Sequence, residues 1–277
     1  MSPLLVVVFT SGAACIFAWV ASLITNDTSW VDRSWSIVPV AYVWEFAARA
    51  NLANGRLDAM AMVVTAWGVR LTYNFARKGG YAGVEDYRWA VLRARMSRRQ
   101  FQLFNIFFIV LYQNLLLVLI TLPALTAYDH RSTPFGTIDV VLVVAFVACL
   151  VAETIADQQQ WDFHQWKRRQ VDAGRSPYPR FAQFGLFRYS RHPNYFFEQA
   201  QWWILFFMGA AADRSVFQWT AVGPILLSLL FIGSTRFTEE ISLSRYPEYA
   251  DYQRRTSRVV PWFSRSDLRA ARPSTTE

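Results

Sequence analysis

Two cysteines and three histidines are all that this 277-residue chain holds of the residues that build disulfide frameworks and metal centres. Cys15 and Cys149 both fall inside apolar runs, where a thiol is a packing group rather than half of a disulfide. His130, His164 and His192 lie far apart in sequence, so no His-rich metal site is expected and none is assigned. No G-x-G-x-x-G stands between a strand pattern and a helix pattern, which excludes a soluble dinucleotide-binding domain. No internal repeat is present. The first apolar run lacks a positive leading region and a small-residue cleavage site, so it is expected to stay as a membrane helix. The apolar segments mostly lack the polar stripe that a helix of a soluble core would carry.

What the chain has in excess is apolar and aromatic: 53% hydrophobic residues, with 22 Phe, 12 Trp and 12 Tyr. They are bunched into runs near the ~20 residues that a helix needs to cross a bilayer. Seven are read, over 3–25, 34–50, 57–77, 101–125, 137–157, 195–212 and 217–238. The fold class is therefore all-α, a polytopic membrane protein of about seven transmembrane helices in one domain over 1–263. A polar, Pro-containing tail over 264–277 has the composition of a disordered segment. The net charge of +8 sits in loops rather than on an exposed face, which argues against nucleic acid as a partner. One loop carries Arg77, Lys78, Arg88, Arg93, Arg95, Arg98 and Arg99. A second carries Lys167, Arg168, Arg169, Arg175, Arg180, Arg188 and Arg191, and a third group follows the last run. By the positive-inside rule these three segments are cytoplasmic, with the N-terminus outside and the C-terminus inside. The expected location is the inner (cytoplasmic) membrane, as a monomer among membrane lipids.

The same loops hold more than cations. Arg70, Tyr73, Asn74 and Arg77 recur at three- and four-residue spacing and share a helical face. Arg70 lies about two turns from the helix end, the depth at which an intramembrane Arg faces a bundle interior or a cavity, or else snorkels. Glu85-Asp86-Tyr87-Arg88-Trp89 suits ribose hydroxyls and a base, and suits a loop-internal salt bridge equally. Glu153 and Asp157 stand four apart on one helix end and continue through Trp161, His164 and Lys167-Arg168-Arg169 to Tyr178-Pro179-Arg180. The richest stretch is Gly185-Leu186-Phe187-Arg188-Tyr189-Ser190-Arg191-His192-Pro193-Asn194-Tyr195, with Glu198 in the first turns of the apolar run. There Arg191, His192 and Asn194 are expected to face an anionic ligand, because cations and helix-start amides hold phosphates. The alternative is an interfacial anchor at headgroup level. The last segment, from Arg236 through Glu239-Glu240 to Tyr249, Tyr252 and Pro261-Trp262-Phe263, is a ligand-binding element or a membrane-lying amphipathic helix. Together these groups suit a large, multiply charged, aromatic ligand such as a phosphorylated dinucleotide.

At these residues the chain resembles the steroid 5-alpha-reductase family, in its bacterial branch, over nearly its whole length. The resemblance rests on Val31-Asp32-Arg33-Ser34-Trp35-Ser36, Trp67-Gly68-Val69-Arg70-Leu71, the Glu85–Trp89 block, the Gly185–Tyr195 block with Glu198, and Tyr249-x-x-Tyr252 followed by Pro261. It implies seven helices, NADPH held at the cytoplasmic side, and reduction of a double bond conjugated to a ketone in a steroid-like lipid. By position Asn194 and Glu198 match residues near the nicotinamide. Asp157, Arg180 and Arg168 or Arg169 match residues that hold the adenosine and phosphate portions, and Arg236 matches an Arg of the last cytoplasmic segment. Arg70, Arg77, Asp86, Tyr178, Arg191 and His192 complete the expected cofactor-binding set. Two positions depart from the pattern. Phe197 replaces the Gly that precedes the Glu, and Trp67 stands where the steroid enzymes have a Tyr. An indole donates one hydrogen bond and cannot give up its proton.

Hydride attack on an enone leaves an enolate oxygen, whose stabilisation by a placed donor contributes ~2.7–4 kcal/mol. Asp32 is the first expectation for that acid and Glu45 the second, with Tyr73 or Tyr112 nearby, since burial keeps a carboxyl neutral. Against this, Asp32 is also placed to cap a helix, and Glu45 to pair with Arg49 one turn on. Arg-His-Pro-x-Tyr with Glu239-Glu240 is similar, too, to membrane methyltransferases of the isoprenylcysteine carboxyl type, which use S-adenosylmethionine. A lipid-binding protein without catalysis would need only an apolar cavity and leaves the clustered Arg and carboxylates unexplained.

Overall fold

The computed structural model describes residues 1–263, and the tail expected over 264–277 lies outside them. Its eleven helices are α1 Pro3–Thr25, α2 Trp30–Trp35, α3 Val38–Arg49, α4 Gly55–Arg77, α5 Tyr87–Arg95, α6 Arg98–Phe104, α7 Gln113–Asp129, α8 Thr137–Asp172, α9 Pro193–Asp213, α10 Val222–Arg245 and α11 Tyr249–Arg255. A π-helical segment, Asn105–Tyr112, joins α6 to α7. Extended pairing among the described residues is one isolated bridge between Ser190 and Ser257.

The helix starts follow from their capping residues. The Ser2 hydroxyl accepts from Leu5 N at 3.3 Å with Pro3 at the first helical turn, and Asn54 accepts from Leu57 N at 3.1 Å at the head of α4. Ser97 and Gln100 form a reciprocal capping box at α6. Such caps answer amides that have no partner inside the helix.

Helix runs through all seven apolar segments, broken by a turn at Ser36 and Ile37 in the second and starting only at Trp219 in the seventh. Four stretches are long and apolar enough to cross a membrane: Pro3–Thr25, Arg98–Asp129, Thr137–Asp172 and Trp219–Arg245. At 12 residues α3 covers only about 18 Å, against a hydrocarbon core of about 30 Å. The helices α4 and α9 are long enough, but Arg56, Asp58, Arg70 and Arg77 in one, and Glu198, Gln199 and Gln201 in the other, lower their hydropathy.

The described residues form two compact units: Met1–Val147 with Trp202–Leu227, and Ala148–Gln201 with residues 228–263. The first is built around α1, α3, α4 and α7, with Tyr42, Phe46, Leu57, Met60, Trp67, Leu116 and Ile120 fully buried. Gly68 sets the approach of α4 to α3: a Cβ there would stand 2.6 Å from the Ser36 carbonyl oxygen and 2.6 Å from Val40 Cγ2. Buried in the same unit, Arg56 grips Asp139 through two bonds of 2.6 and 2.9 Å and donates to the carbonyls of Pro134 and Thr133. The second unit packs Phe163, Phe187, Tyr249 and Tyr252 as its buried aromatics, with Phe181 stacked on Tyr252 at 5.4 Å.

Candidate functional site

In the first unit the acidic block before α5 is tied into its own surroundings. Glu85 accepts from the Thr28 amide at 3.0 Å, from the Thr28 hydroxyl at 2.8 Å and from Arg93 at 2.7 Å. Asp86 caps α5 through the Arg88 amide at 2.8 Å and takes the Arg88 guanidinium at 2.7 Å. Of the two readings open for this block, the structure displays the loop-internal ion pairs. Asp32 lies on α2 and accepts from the buried Trp89 indole at 2.9 Å. Burial pushes its carboxyl above the ordinary range, and the nearby Asp86 carboxylate adds to that. The Trp89 bond and the Arg88 charge oppose the shift without cancelling it.

Glu45 is paired with Arg49 at 2.8 Å, the one-turn partner that its spacing offered. On α4, Arg77 donates to the buried Asn74 at 2.9 Å and lies over the exposed Tyr73 ring at 5.6 Å, while Arg70 is half-buried on the same helix. Trp67 is fully buried and meets Trp202 edge-on at 4.8 Å. Tyr112 donates to the Leu226 carbonyl at 3.4 Å.

The second unit assembles a polar seam between two helices. Asn194 on α9 donates to Asp157 on α8 at 3.3 Å, and Gln201 donates to Glu153 at 2.7 Å. These contacts run in opposite sequence order, so α8 and α9 are antiparallel here. Asn194, Glu198 and Gln201 follow one another at four- and three-residue steps and share a stripe, and Glu198 therefore stands between the two contacts. Glu153, Asp157, Glu198 and Gln201 are all at most 5% exposed. Gln201 Oε1 has no hydrogen-bond partner among the described residues. Buried polar groups of this density are expensive unless they are paired or serve a ligand.

Arg191 and His192, expected against an anionic ligand, are engaged by the protein itself. Arg191 donates to both oxygens of Glu239, at 2.6 and 3.0 Å, and to the carbonyls of Gln253, at 2.9 Å, and Thr256. His192 Nε2 stands 3.1 Å from the same carboxylate. The physical reason is that the Glu239 side chain, at 3% exposure, demands counter-charge, and the Arg191 guanidinium is within reach to supply it. No local signal pointed to this pairing, because the partners are 48 residues apart; the carboxylate pair Glu239-Glu240 at the end of an apolar run was the available hint. The Glu153–Gln201 contact and the Arg56–Asp139 pair were missed for the same reason.

The remaining expected residues are exposed. Arg168 and Arg169 project from α8, and Arg236 from α10. Arg180 is 3.6 Å from Glu248 and lies over the Tyr246 ring at 5.9 Å, while its carbonyl accepts from Lys167. Tyr178 is exposed and precedes a cis proline. Gly185 has φ +59°, a left-handed conformation, and a Cβ there would collide with the Gln159 amide, whose oxygen accepts from Leu186 N at 2.9 Å. That pins the turn leading to the Arg-His-Pro-Asn-Tyr block.

Residues 18–256 match a family described as "Protein of unknown function (DUF1295)". The chain belongs to that family. It is also similar to an uncharacterised protein of Schizosaccharomyces pombe, 39% identical over 261 residues that cover 88% of this chain and 75% of the relative. No solved structure matches it. Every residue of the first-unit acidic block and of the second-unit seam lies within the matched region.

Proposed function

We propose that this DUF1295 protein is an NADPH-dependent membrane reductase that transfers hydride to the conjugated C=C bond of an enone lipid. The observation that carries the reading is the contact of the half-buried Asn194 with the buried Asp157 at the head of α9, with buried Glu198 one turn further along the same stripe. These are the positions that the resemblance to steroid 5-alpha-reductases assigns to the nicotinamide and adenosine portions. The donor set suits such a ligand. The exposed guanidiniums of Arg168, Arg169, Arg180 and Arg236 are of the type that takes phosphates, and Asp157 can accept from a ribose hydroxyl. Arg191 and His192 are left out of the set, since Glu239 already occupies them.

NADPH would supply the hydride when bound. The seam residues would orient the carboxamide and ribose in a site of low dielectric, where each hydrogen bond is stronger than in water. Addition of hydride to the β-carbon moves the π electrons onto the ketone oxygen, and a proton delivered to the α-carbon completes the reduction. Asp32 is our candidate for the acid, by its place in the Val31-Asp32-Arg33-Ser34-Trp35-Ser36 stretch that carries the resemblance. Our reading includes seven spans, with the apolar segment 34–50, α4 and α9 crossing beside the four long apolar helices. It places the N-terminus outside and the cofactor at the cytoplasmic face of the inner membrane.

The test is a titration of the detergent-purified chain with NADPH, NADH and S-adenosylmethionine, with Asn194→Ala as the comparison. The reading expects NADPH binding that weakens at least tenfold in the variant, about 1.4 kcal/mol or more. Binding of S-adenosylmethionine alone would move the chain to the methyltransferases of the isoprenylcysteine carboxyl type. Binding of none would leave a lipid-binding protein.

A further inference from the structure

We propose that Glu239 is a positioning residue that fastens the segment after α11 across the turn entering α9, and so fixes Asn194 against Asp157. The proposal rests on the cofactor reading above. Glu239 gathers four hydrogen-bond contacts, two from Arg191 and one each from His192 Nε2 and the Gln253 amide at 3.1 Å, and it forms an ion pair with the Arg258 guanidinium at 3.4 Å. Two of those donors, Arg191 and His192, immediately precede Pro193 and Asn194. The other two residues, Gln253 and Arg258, belong to α11 and the segment that follows it.

The main chain completes the strap. The Arg191 amide donates to the Ser257 carbonyl at 2.8 Å and the His192 amide to the Arg258 carbonyl at 3.0 Å. The Ser190 hydroxyl donates to the Val259 carbonyl at 2.7 Å, and the Trp262 amide to the Tyr189 carbonyl at 2.9 Å. The Tyr252 hydroxyl donates to the Phe187 carbonyl from a buried site. Every residue from Tyr189 to His192 is therefore bonded to the segment 256–262 or to the carboxylate that holds it. Asn194 is two residues beyond that lattice, so its amide inherits its position. Arg191 also bridges the two layers, because one guanidinium nitrogen binds Gln253 and Thr256 carbonyls while the others bind Glu239. Neutralising Glu239 leaves the buried Arg191 without its counter-charge, and the strap loses its central anchor.

A brace that only holds the fold would not sense the ligand, whereas a positioning element must be coupled to it. Two measurements on the full chain in detergent separate these. The first is NADPH affinity of Glu239→Gln and Glu239→Asp: we expect at least a tenfold loss in the Gln variant and partial recovery in the Asp variant, which restores the charge. The second is amide exchange of residues 253–262 in the unaltered protein, which we expect NADPH to slow severalfold. A folded Glu239→Gln that binds NADPH with unaltered affinity overturns the role while leaving the reductase reading intact. Should Glu239→Gln fail to fold, the exchange experiment decides by itself, and strap exchange indifferent to saturating NADPH overturns the role. Absence of nucleotide binding by the unaltered chain overturns the cofactor reading, and this role with it.

Discussion

Replacing Arg56 by Met is a direct test of how the first unit is held together. Arg56 is 2% exposed and Asp139 fully buried, and the pair shares two hydrogen bonds of 2.6 and 2.9 Å. The Met side chain fills a similar volume but leaves the Asp139 carboxylate the Gly136 amide, at 2.8 Å, and removes the donors from the Pro134 and Thr133 carbonyls. Stranding one member of a buried pair costs about 3–5 kcal/mol. Removing both members behaves differently, because the desolvation penalty goes with them. The double variant Arg56→Met with Asp139→Leu should therefore recover much of the loss, apart from the two uncapped carbonyls and the Gly136 amide. Reversible denaturation in mixed detergent micelles, read by tryptophan fluorescence, gives all three free energies. A single-variant loss below about 1 kcal/mol, or a double variant less stable than the Met variant, would refute the reasoning.

Other positions yield sharp expectations. Gly68→Ala forces a methyl to within 2.6 Å of the Ser36 carbonyl oxygen, so α3 and α4 must separate; a loss of about 1–3 kcal/mol is expected in the same denaturation assay. Asp32→Asn should change the pH dependence of stability. The native carboxyl is raised above its ordinary 3.8, so burying it is harmless while it is protonated and unfavourable once it ionises. The parent protein should lose stability relative to the Asn variant as pH climbs from 3.8 through the elevated native value, and a difference moving the other way contradicts the assignment. Trp89→Phe removes the indole donor to Asp32 and should raise that carboxyl further, steepening the same loss, as read by thermal midpoints across pH.

The helices were legible because long apolar runs and their polar breaks are local. Residues 3–25 were read with the same limits that α1 has, and the seventh run fell within three residues of the start of the Trp219–Arg245 helix. The extension of α8 to Asp172 was not legible, since beyond residue 157 the helix carries Gln, Asp, Lys and Arg and its pattern ceases to look like a span. Glu45–Arg49 could be read from a spacing of four, whereas Arg191–Glu239 could not, being a tertiary meeting of distant segments. The Asn194, Glu198 and Asp157 positions were found through motif resemblance. The geometry added that Asn194 and Asp157 touch, and that Gln201 and Glu153 extend the seam.

The most direct measurement is hydride transfer itself. The purified protein, reconstituted in lipid, is supplied with NADPH deuterated at the transferable nicotinamide position and with an enone lipid of steroid type. The account predicts saturated ketone carrying one deuterium at the β-carbon, formed at a rate that falls steeply in Asn194→Ala. Enone recovered unchanged across a panel of such lipids, while the same preparation transfers a methyl group from S-adenosylmethionine, would contradict it.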